Sequence, residues 1–576
     1  MTAYTYDPDT GELLGIDYSD DTPDITFTYD RLGRKKTVSD AAGNRTFAYN
    51  ADLQPESETI TGLYNRRILY SYEGGSGVPG RASGFDLSGA GGVVYRYDSD
   101  TGRFGSIEWD IGSAFGRATY SYVPDSDLIH QISFTNGAMT TFDYERNLRT
   151  RVKNQYDTQV VSQYDYVYDE LGRRISRNVS GDGALGIPAP EAETTEYVSN
   201  FLNQYIQITS TDTQSTTRDL VYDDDGNLIA TATDGSGYRY GYNAENRLTS
   251  VKPETPVDGD DKVEFVYDYM GRRVKKTIYD YDGGSWNLEK EILFAYDGWN
   301  PIEEITLIGG TETSRYFVWG LDLSQSLQGA GGIGGLLSMI DGENSYLYFF
   351  DANGNVGQLI NASDGDFAAH YAYDAFGNIL NAAGPEADAN PFRFSTKYHD
   401  DETGLVYYGY RYYSTTLGRW INRDPQNEEG GINLYTFTSN NPINAIDPYG
   451  LREAAYGGWE LQFIGGYGQA YVTCCDGNNL IKHKYRKVCF GAGFIAGVSS
   501  GAAFKGQNQS CSSPPQYLIT PELGFGLFGP LGIEGGAGFG DHGMSPYLGG
   551  SGGTGFKATV CYYWLSSSEE IGCCNE

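Results

Sequence analysis

The residues best suited to chemistry are two aspartates that each precede a proline, Asp424 and Asp447, near the two ends of the segment 423–451. Proline fixes φ and the Asp side chain caps its own backbone, so each step predicts a tight turn. Two carboxylates held close cannot both ionise easily, and one then keeps its proton. Such a pair supplies a general base and a general acid for peptide hydrolysis. We expect Arg423 to hold the ionised partner or to stabilise developing negative charge.

The elements that must position this segment are recurring turns. An aromatic residue and Asp are followed, after a short gap, by Gly and then usually by Arg or Asn. Neighbouring copies lie mostly about 20 to 25 residues apart, which is the period of a repeat architecture. The clear copies begin at Tyr6, Tyr29, Tyr97, Tyr168, Tyr222, Tyr267, Phe350 and Tyr373, and degenerate copies at Tyr49, Tyr144, Tyr242 and Tyr296.

Each copy predicts a β-hairpin. Alternating aromatic and polar residues, as in Phe27-Thr28-Tyr29, favour a half-buried strand, while Asp caps the turn and Gly takes the left-handed conformation that closes it. One hairpin of this length cannot bury a core alone, so successive units must stack into a continuous sheet that coils or closes on itself. No long stretch combines a helical period with capping signals. The sequence therefore predicts an all-β fold.

The charge balance excludes several partners. The 576 residues include 41 Lys and Arg against 76 Asp and Glu, a formal charge of −35. Because phosphate binding needs a cationic face, we expect neither nucleic acid nor an anionic membrane surface as a partner. No apolar run of about 18 residues occurs, so we expect no membrane-spanning helix.

Metal sites and cofactors are not expected either. Five scattered His leave little material for a histidine metal site. The acidic runs 223–225 and 258–261 lack the loop Gly and closing Glu of an EF-hand, and we interpret them as turn acids.

The tail, residues 452–576, has a different composition: it is rich in Gly, and it contains all seven cysteines. Cysteines at this density predict disulfides formed in an oxidising compartment, and their adjacent pairs lack the Cys-x2-Cys spacing of a zinc site. The pairing stays open among Cys474, Cys475, Cys489, Cys511, Cys561, Cys573 and Cys574. We interpret the basic run 482–487 as a charged strand, rather than as a contact for nucleic acid or acidic glycans. The tail favours a compact disulfide-bonded β domain over a membrane-inserting surface.

The repeated units resemble the YD repeats of the RHS family, bacterial relatives of the toxin-complex C components and the teneurins. The resemblance covers residues 1–451 and implies a β-strand ribbon that spirals into a shell, or partial cocoon, around a carboxy-terminal passenger. Its most specific part follows the RHS-associated core in order, in the segments Arg315–Asp322, Tyr373–Asn378, Tyr398–Gly404, Arg411–Tyr413 and Gly418–Ile421.

The segment 423–451 is similar to the RHS autoprotease motif, in which the shell cuts its own chain after the Leu of Asp-Pro-x-Gly-Leu. This resemblance implies that Asp424 and Asp447 are the acid and base, that Arg423 orients them, and that Leu451–Arg452 is the scissile bond. It implies no other enzymatic activity, and the tail contains no toxin motif that we recognise.

The motif also shows departures from the family pattern. Asn427 and Glu428 replace a commoner Gly-Leu, and the position from which toxin-complex C members draw an acid is Thr436 here. We interpret Glu428 and Glu429 as solvated loop charges. An alternative interpretation of both Asp-Pro steps is that they only form turns inside a sealed plug.

We therefore expect three regions: a YD-repeat shell over 1–386, the RHS-associated core with its Asp-Pro plug over 387–451, and a variable passenger domain over 452–576. One hypothesis is a secreted or surface-delivered shell that cleaves itself and presents the passenger in antagonism between cells, with its own carboxy-terminal domain as cargo and a secretion-system, capping or immunity protein as partner. The other is a non-cleaving extracellular structural or adhesive protein that recognises a cell-surface glycan or receptor. No secretory signal of the usual kind follows Met1, so we expect any export to use another route or to start from a longer gene product.

Overall fold

The structure is a computed structural model that divides into two compact units, residues 1–452 and 453–576. It is almost entirely β, with no α-helix among the described residues, which confirms the all-β prediction. Beyond residue 451 only the course of the strands is described. The description covers every residue except 1, 75–77, 79, 187–193, 211–215, 233–234, 452–453, 458–459, 464–465, 477–478, 494–499, 504–516, 529–532, 541–542, 551–552 and 574–576.

A sheet of 16 strands opens the first unit, and each strand pairs antiparallel with the next along the chain. This order is the meander of consecutive hairpins that the repeats predict. The strands are β1 Thr2–Tyr6, β2 Leu13–Tyr18, β3 Ile25–Tyr29, β4 Lys35–Asp40, β5 Gly43–Tyr49, β6 Pro55–Gly62, β7 Arg66–Tyr72, β8 Ala82–Leu87, β9 Gly91–Tyr97, β10 Phe104–Ile111, β11 Ala114–Tyr122, β12 Ile129–Phe134, β13 Ala138–Glu145, β14 Leu148–Tyr156, β15 Gln159–Tyr168 and β16 Arg174–Ser180.

Two further sheets continue the meander, one of three strands and one of 14. The smaller has β17 Thr195–Ser199, β18 Tyr205–Ser210 and β19 Thr216–Asp219. The larger has β20 Val221–Tyr222, β21 Leu228–Ala230, β22 Tyr238–Tyr242, β23 Leu248–Pro253, β24 Asp261–Tyr267, β25 Arg273–Asp282, β26 Ser285–Asp297, β27 Asn300–Ile308, β28 Thr311–Trp319, β29 Leu336–Asp341, β30 Asn344–Phe350, β31 Val356–Asn361, β32 Phe367–Tyr373 and β33 Ile379–Ala383.

The rest of the first unit consists of short elements joined by turns. A four-stranded sheet is followed by one short strand, and three 3-10 turns lie between or before these strands. The strands are β34 Tyr398–Asp400, β35 Leu405–Tyr407, β36 Tyr412–Ser414, β37 Arg419–Trp420 and β38 Ala445–Ile446, and the 3-10 turns are Phe394–Thr396, Asn427–Glu429 and Thr438–Asn440.

The repeat tyrosines connect successive hairpins through their hydroxyl groups. Nine of them, and Tyr72 and Tyr122 on further strands, donate a hydrogen bond of 2.5 to 3.0 Å to a backbone carbonyl just past the preceding turn. The ring packs in the sheet while the hydroxyl has a polar partner, as suits Tyr. The pairs are Tyr29 to Leu13, Tyr49 to Lys35, Tyr72 to Pro55, Tyr97 to Ala82, Tyr122 to Phe104, Tyr144 to Ile129, Tyr168 to Arg149, Tyr242 to Leu228, Tyr267 to Leu248, Tyr296 to Arg273 and Tyr373 to Val356.

The same aromatic position bends the ribbon. The strand register shifts immediately before it, for example between Thr28 and Tyr29, and again between Ala372 and Tyr373. A β-bulge of this kind increases the right-handed twist of a strand pair. Because the irregularity recurs with the repeat, the ribbon coils instead of extending as a flat sheet.

One hydrophobic cluster unites the large sheets and the short elements of the first unit. Polar contacts inside it join sequence-distant strands: Ser162 on β15 donates to Gln358 on β31 at 2.5 Å. Tyr64 likewise donates to the carbonyl of Phe294 on β26 at 2.5 Å. The segment 387–451 belongs to this same unit.

The second unit is also built of strands. A hairpin of β39 Ala454–Gly457 and β40 Glu460–Phe463 precedes a seven-stranded sheet in the order β41, β42, β47, β44, β45, β46, β43. The strands of that sheet are β41 Gly466–Asp476, β42 Asn479–Gly493, β43 Ser500–Ala503, β44 Tyr517–Phe528, β45 Ile533–Gly540, β46 Gly543–Gly550 and β47 Gly553–Cys573.

Five of the predicted disulfide cysteines lie on these strands, and Cys511 and Cys574 lie outside the described residues. Backbone register places Cys489 opposite Cys561. The basic run 482–487 falls within β42.

Candidate functional site

The second Asp-Pro step forms a tight turn directly after β38. Asp447 is buried, and its Oδ1 accepts hydrogen bonds from the backbone N–H groups of Tyr449 at 3.2 Å, Gly450 at 2.8 Å and Leu451 at 3.1 Å. One carboxylate oxygen thus organises the backbone as far as Leu451, the residue before the predicted scissile bond.

The first Asp-Pro step forms a second buried turn, after β37. Asp424 accepts a hydrogen bond from the backbone N–H of Gln426 at 2.8 Å, and its own carbonyl accepts one from Asn427 at 2.9 Å. Gly430 packs against the carboxylate so closely that a Cβ there would lie 2.4 Å from Asp424 Oδ2. Glycine at this position leaves the space that the carboxylate occupies.

Arg411, between β35 and β36, joins the two turns. Its Nη2 lies 2.8 Å from Oδ2 of Asp424 and 3.5 Å from Oδ2 of Asp447. Its Nε donates to the carbonyl of Gly450, so the same guanidinium also contacts the backbone of the second turn. The guanidinium lies 4.2 Å from the centre of the Trp420 ring, which fixes its plane. The two predicted carboxylates therefore share one buried cation.

Burial shifts the pKa values of two groups in this cluster, Asp424 and Arg411. Desolvation raises the pKa of Asp424 to about 6, opposed by the charge of Arg411 and reinforced by that of Asp447. Desolvation also lowers the pKa of Arg411. A carboxyl group with a pKa near 6 can hold or release a proton close to neutral pH, as general acid–base catalysis requires.

Arg423, the predicted orienting cation, has a different position. Its Nη2 contacts the side-chain oxygen of Asn427 at 3.4 Å. The side chain packs over the repeat turn at Gly226, where a Cβ would lie 2.5 Å from Arg423 Cδ. Among the described residues Arg411, not Arg423, forms the ion pairs with both aspartates. Arg423 is half-buried beside the Gly226 turn, whereas Arg411 is buried and contacts both Asp-Pro turns.

The remaining predicted residues lie around this cluster. Leu451 is half-buried, and Arg452 lies outside the described residues. Glu428 and Glu429 are exposed on a 3-10 turn. Thr436 contacts Asn440 at 3.3 Å. No group of three or more potential metal ligands occurs in the part of the chain that the structure describes.

Sequence reasoning missed two buried cations, Arg411 and Lys397. Lys397 Nζ donates to the carbonyls of Gly331 and Pro448, both at 2.7 Å. Arg411 lies in a segment that carries the family resemblance, which is the signal that could have found it. Lys397 directly precedes another such segment.

These features define a class of protein: an all-β shell of stacked hairpins. The last part of its first unit, residues 387–451, contains a buried Asp–Arg–Asp cluster. None of the described helical turns is long and apolar enough to cross a membrane.

Comparisons with known proteins agree with this class. Residues 331–443 match the family described as Teneurin YD-shell, and residues 222–255 match RHS Repeat. These two segments are therefore similar to RHS/YD-repeat proteins.

Two proteins with assigned names are similar in sequence to parts of this chain. It is 27% identical over 298 residues to the tRNA3(Ser)-specific nuclease WapA of Bacillus spizizenii, a match covering 50% of this chain and 11% of that protein. It is 46% identical over 72 residues to Toxin protein Tse5 of Pseudomonas aeruginosa, covering 12% of this chain and 6% of that protein.

A solved structure shares the fold. The crystal structure of TcdB2-TccC3 superposes with a TM-score of 0.58 at 17% identity, over 78% of this chain and 27% of that chain. The similarity therefore concerns a small part of much longer proteins.

Proposed function

We propose that residues 1–451 form a shell that presents the carboxy-terminal region as cargo and cuts its own chain between Leu451 and Arg452. The observation that carries this proposal is the contact of one guanidinium with both buried carboxylates, Asp424 and Asp447, at the turn that leads into that bond. The arrangement supplies an acid and a base whose environments differ, which is the requirement for hydrolysis by two carboxyl groups.

The proposed step is hydrolysis with water as the co-reactant. Water adds to the carbonyl carbon of Leu451 while one of its protons passes to Oδ2 of ionised Asp447. Protonated Asp424 donates its proton to the amide nitrogen of Arg452 as the C–N bond breaks. The products are a carboxyl group on Leu451 and a free amine on Arg452. Arg411 holds both carboxylates and the Gly450 carbonyl in place, so the reacting backbone is oriented before the step.

The cargo role draws on the relatives. Two are named as a nuclease and a toxin, and we propose that this shell likewise serves a toxin-type effector delivered outside the producing cell. Residues 452–576 would be the passenger, and a secretion-system, capping or immunity protein would be a partner. The activity of the passenger is left unassigned because its sequence contains no catalytic motif that we recognise.

The proposal is tested by intact mass of the full chain under denaturing, reducing conditions. Wild type should give two fragments that end and begin at Leu451 and Arg452. Asp447→Asn and Asp424→Asn should each stay full length, since asparagine keeps the capping oxygen but can neither ionise nor donate an acidic proton. Glu428→Gln, in the same segment but exposed, is the matched control and should cleave like wild type. Cleavage that persists in Asp447→Asn, with normal thermal unfolding, would overturn the assignment.

A second function is favoured by one observation. The three backbone hydrogen bonds to Asp447 Oδ1 are also what a purely structural turn needs. A non-cleaving extracellular structural or adhesive protein, whose tail binds a cell-surface glycan or receptor, would use the same turn. For that function, wild type stays full length and the intact chain binds cells or glycan arrays.

A further inference from the structure

Beside the cleavage cluster lies a buried charge that the cleavage proposal does not use, the ammonium of Lys397. Its Nζ lies between two carbonyl oxygens, of Pro448 in the Asp447 turn and of Gly331 in the loop 322–335. Lys397 is only 7% exposed. A lysine enclosed to this extent is rare unless its charge has partners. Its position therefore needs an explanation beyond packing.

The loop 322–335 contacts the Asp447 turn at several points. A Cβ at Gly331, where φ is +61°, would lie 2.0 Å from the Pro448 carbonyl oxygen, so only glycine permits this approach. The hydroxyl of Tyr449 donates to the carbonyl of Gln328. Buried Asp322 accepts from the backbone N–H groups of Ala330 at 2.7 Å and Gly332 at 3.2 Å, which holds the loop in shape.

We infer that Lys397 is a positioning residue for self-cleavage: its ammonium joins the Pro448 carbonyl to the loop 322–335 and so fixes the backbone that leads to the Leu451–Arg452 bond. The inference rests on the proposed function. Arg411 holds Gly450 from one side and Lys397 holds Pro448 from the other. Two cations thus fix successive parts of one turn, and hydrolysis depends steeply on such orientation.

The charge on Lys397 titrates near physiological pH. Desolvation by its surroundings, which include the rings of Tyr408 and Tyr449, lowers the pKa of Lys397 to about 8, while the charges of Asp447 and Asp322 oppose this. The ammonium is therefore present below about pH 8 and lost above it. A neutral amine still donates hydrogen bonds, but without charge assistance they are weaker.

The test follows cleavage of the full chain after a short pulse of cell-free synthesis, chased at pH 6 to 9.5. Lys397→Met should cleave roughly tenfold more slowly than wild type at pH 7, because two charge-assisted hydrogen bonds are lost. The ratio of the two rates cancels the titration of Asp424, which both chains share. The wild-type rate divided by the Lys397→Met rate should fall above pH 8, because wild type then loses the charge that the variant lacks. Lys397→Arg stays charged, so the Lys397→Arg rate divided by the Lys397→Met rate should not fall above pH 8.

Two lysines serve as controls. Lys276→Met removes a buried lysine that pairs with Asp400 and Glu402, away from the site, and should lower the unfolding temperature without changing the pH profile. Lys252→Met, at the surface, should change neither. If Lys397→Met fails to fold, the wild-type cleavage rate divided by the Lys397→Arg rate still tests the role of the charge, because this ratio should fall above pH 8.

The outcomes separate the two proposals. If wild type never cleaves, the proposed function fails. If wild type cleaves, Asp447→Asn does not, and folded Lys397→Met cleaves at the wild-type rate or with a pH-independent ratio, the role of Lys397 alone is overturned.

Discussion

The repeat turn at Asp30 and the buried turn at Asp447 use the same local device. In the repeat, Asp30 Oδ1 accepts from the backbone N–H groups of Leu32 at 2.8 Å and Arg34 at 3.1 Å. In the buried turn, Asp447 Oδ1 accepts from three successive backbone groups that end at Leu451. Local sequence thus builds both turns alike, and the difference in their roles must come from what surrounds them.

The partners of the carboxylates differ. Asp30 pairs with Arg34 of its own turn at the surface, and the hydrogen bond from that side chain lowers the pKa of Asp30. Asp424 and Asp447 share Arg411, which comes from another part of the chain and is enclosed with them. With one cation between two buried carboxylates, the pKa of Asp424 is raised to about 6, whereas the pKa of Asp30 is lowered.

Burial alone does not raise the pKa of every enclosed aspartate. Asp268 begins a repeat turn that is fully enclosed, and burial opposes its ionisation, yet the guanidiniums of Arg272 and Arg45 together lower its pKa. Asp268 contacts two guanidiniums, one of which, Arg45, also pairs with Asp40 and Glu58. Asp424 and Asp447 share a single guanidinium. The comparison teaches that contacts with two guanidiniums keep buried Asp268 ionised, whereas burial outweighs the single shared guanidinium at Asp424.

The largest expected effect comes from replacing Arg411, the cation that Asp424 and Asp447 share. Arg411→Met should slow self-cleavage at least about 100-fold, because it removes the group that orients both carboxylates. Arg423→Met should cleave within twofold of wild type, since that residue packs over the Gly226 turn. Fragment yield against time measures both. Equal losses in the two variants would contradict the assignment, and Arg411→Lys tests whether the charge alone suffices if Arg411→Met unfolds.

The next effect concerns stability in the repeat region. Asp268→Asn leaves the buried guanidiniums of Arg45 and Arg272 without their shared carboxylate, and should lower the free energy of unfolding by about 3 to 5 kcal/mol. Asp30→Asn, at the surface, should change it much less. Urea unfolding monitored by tyrosine fluorescence compares them. A small effect of Asp268→Asn would show that this network is not a stabilising counterpart to the cleavage cluster.

A smaller effect comes from pH. The pKa of Asp424 is raised to about 6, so its proton is present below that pH and is lost as pH rises through it. If that proton is the one donated to Arg452, the cleavage rate should fall roughly 15-fold between pH 6 and 7.5. Pulse-chase rates give the profile. A rate that is flat or rises through pH 6 would assign Asp424 another role.

The smallest effects compare two glycines. Gly33→Ala forces alanine to a φ of +76° in a repeat turn and should cost about 1 kcal/mol of stability without changing cleavage. Gly430 has ordinary φ but packs on Asp424, so Gly430→Ala should displace the carboxylate and slow cleavage roughly fivefold. Thermal unfolding and fragment yield together separate the two cases. Unchanged cleavage in Gly430→Ala would mean that Asp424 tolerates displacement.

Much of the fold follows from local signals. The pattern of Tyr29, Asp30 and Gly33 specifies a strand, a cap and a left-handed turn within a few residues, so the hairpins could be predicted. The hydrogen bond from Tyr29 to Leu13 and the bulge beside Tyr29 depend on the neighbouring hairpin, and no single unit reveals them.

The site was only partly predictable for the same reason. Asp424 and Asp447 are marked by the prolines that follow them, so their turns could be placed. Arg411 and Lys397 have no local pattern that links them to those turns. Their contacts exist because the tertiary fold brings the connection between β35 and β36, and the segment before β34, beside the buried turns. Arg423, next to Asp424 in sequence, contacts Asn427 instead.

The most direct test of the central claim is the intact mass of the purified wild-type chain in denaturing conditions, with amino-terminal sequencing of the smaller species. The account predicts two fragments, the smaller beginning at Arg452. A single full-length species from properly folded protein would contradict self-cleavage, and would favour a structural or adhesive role for the same shell.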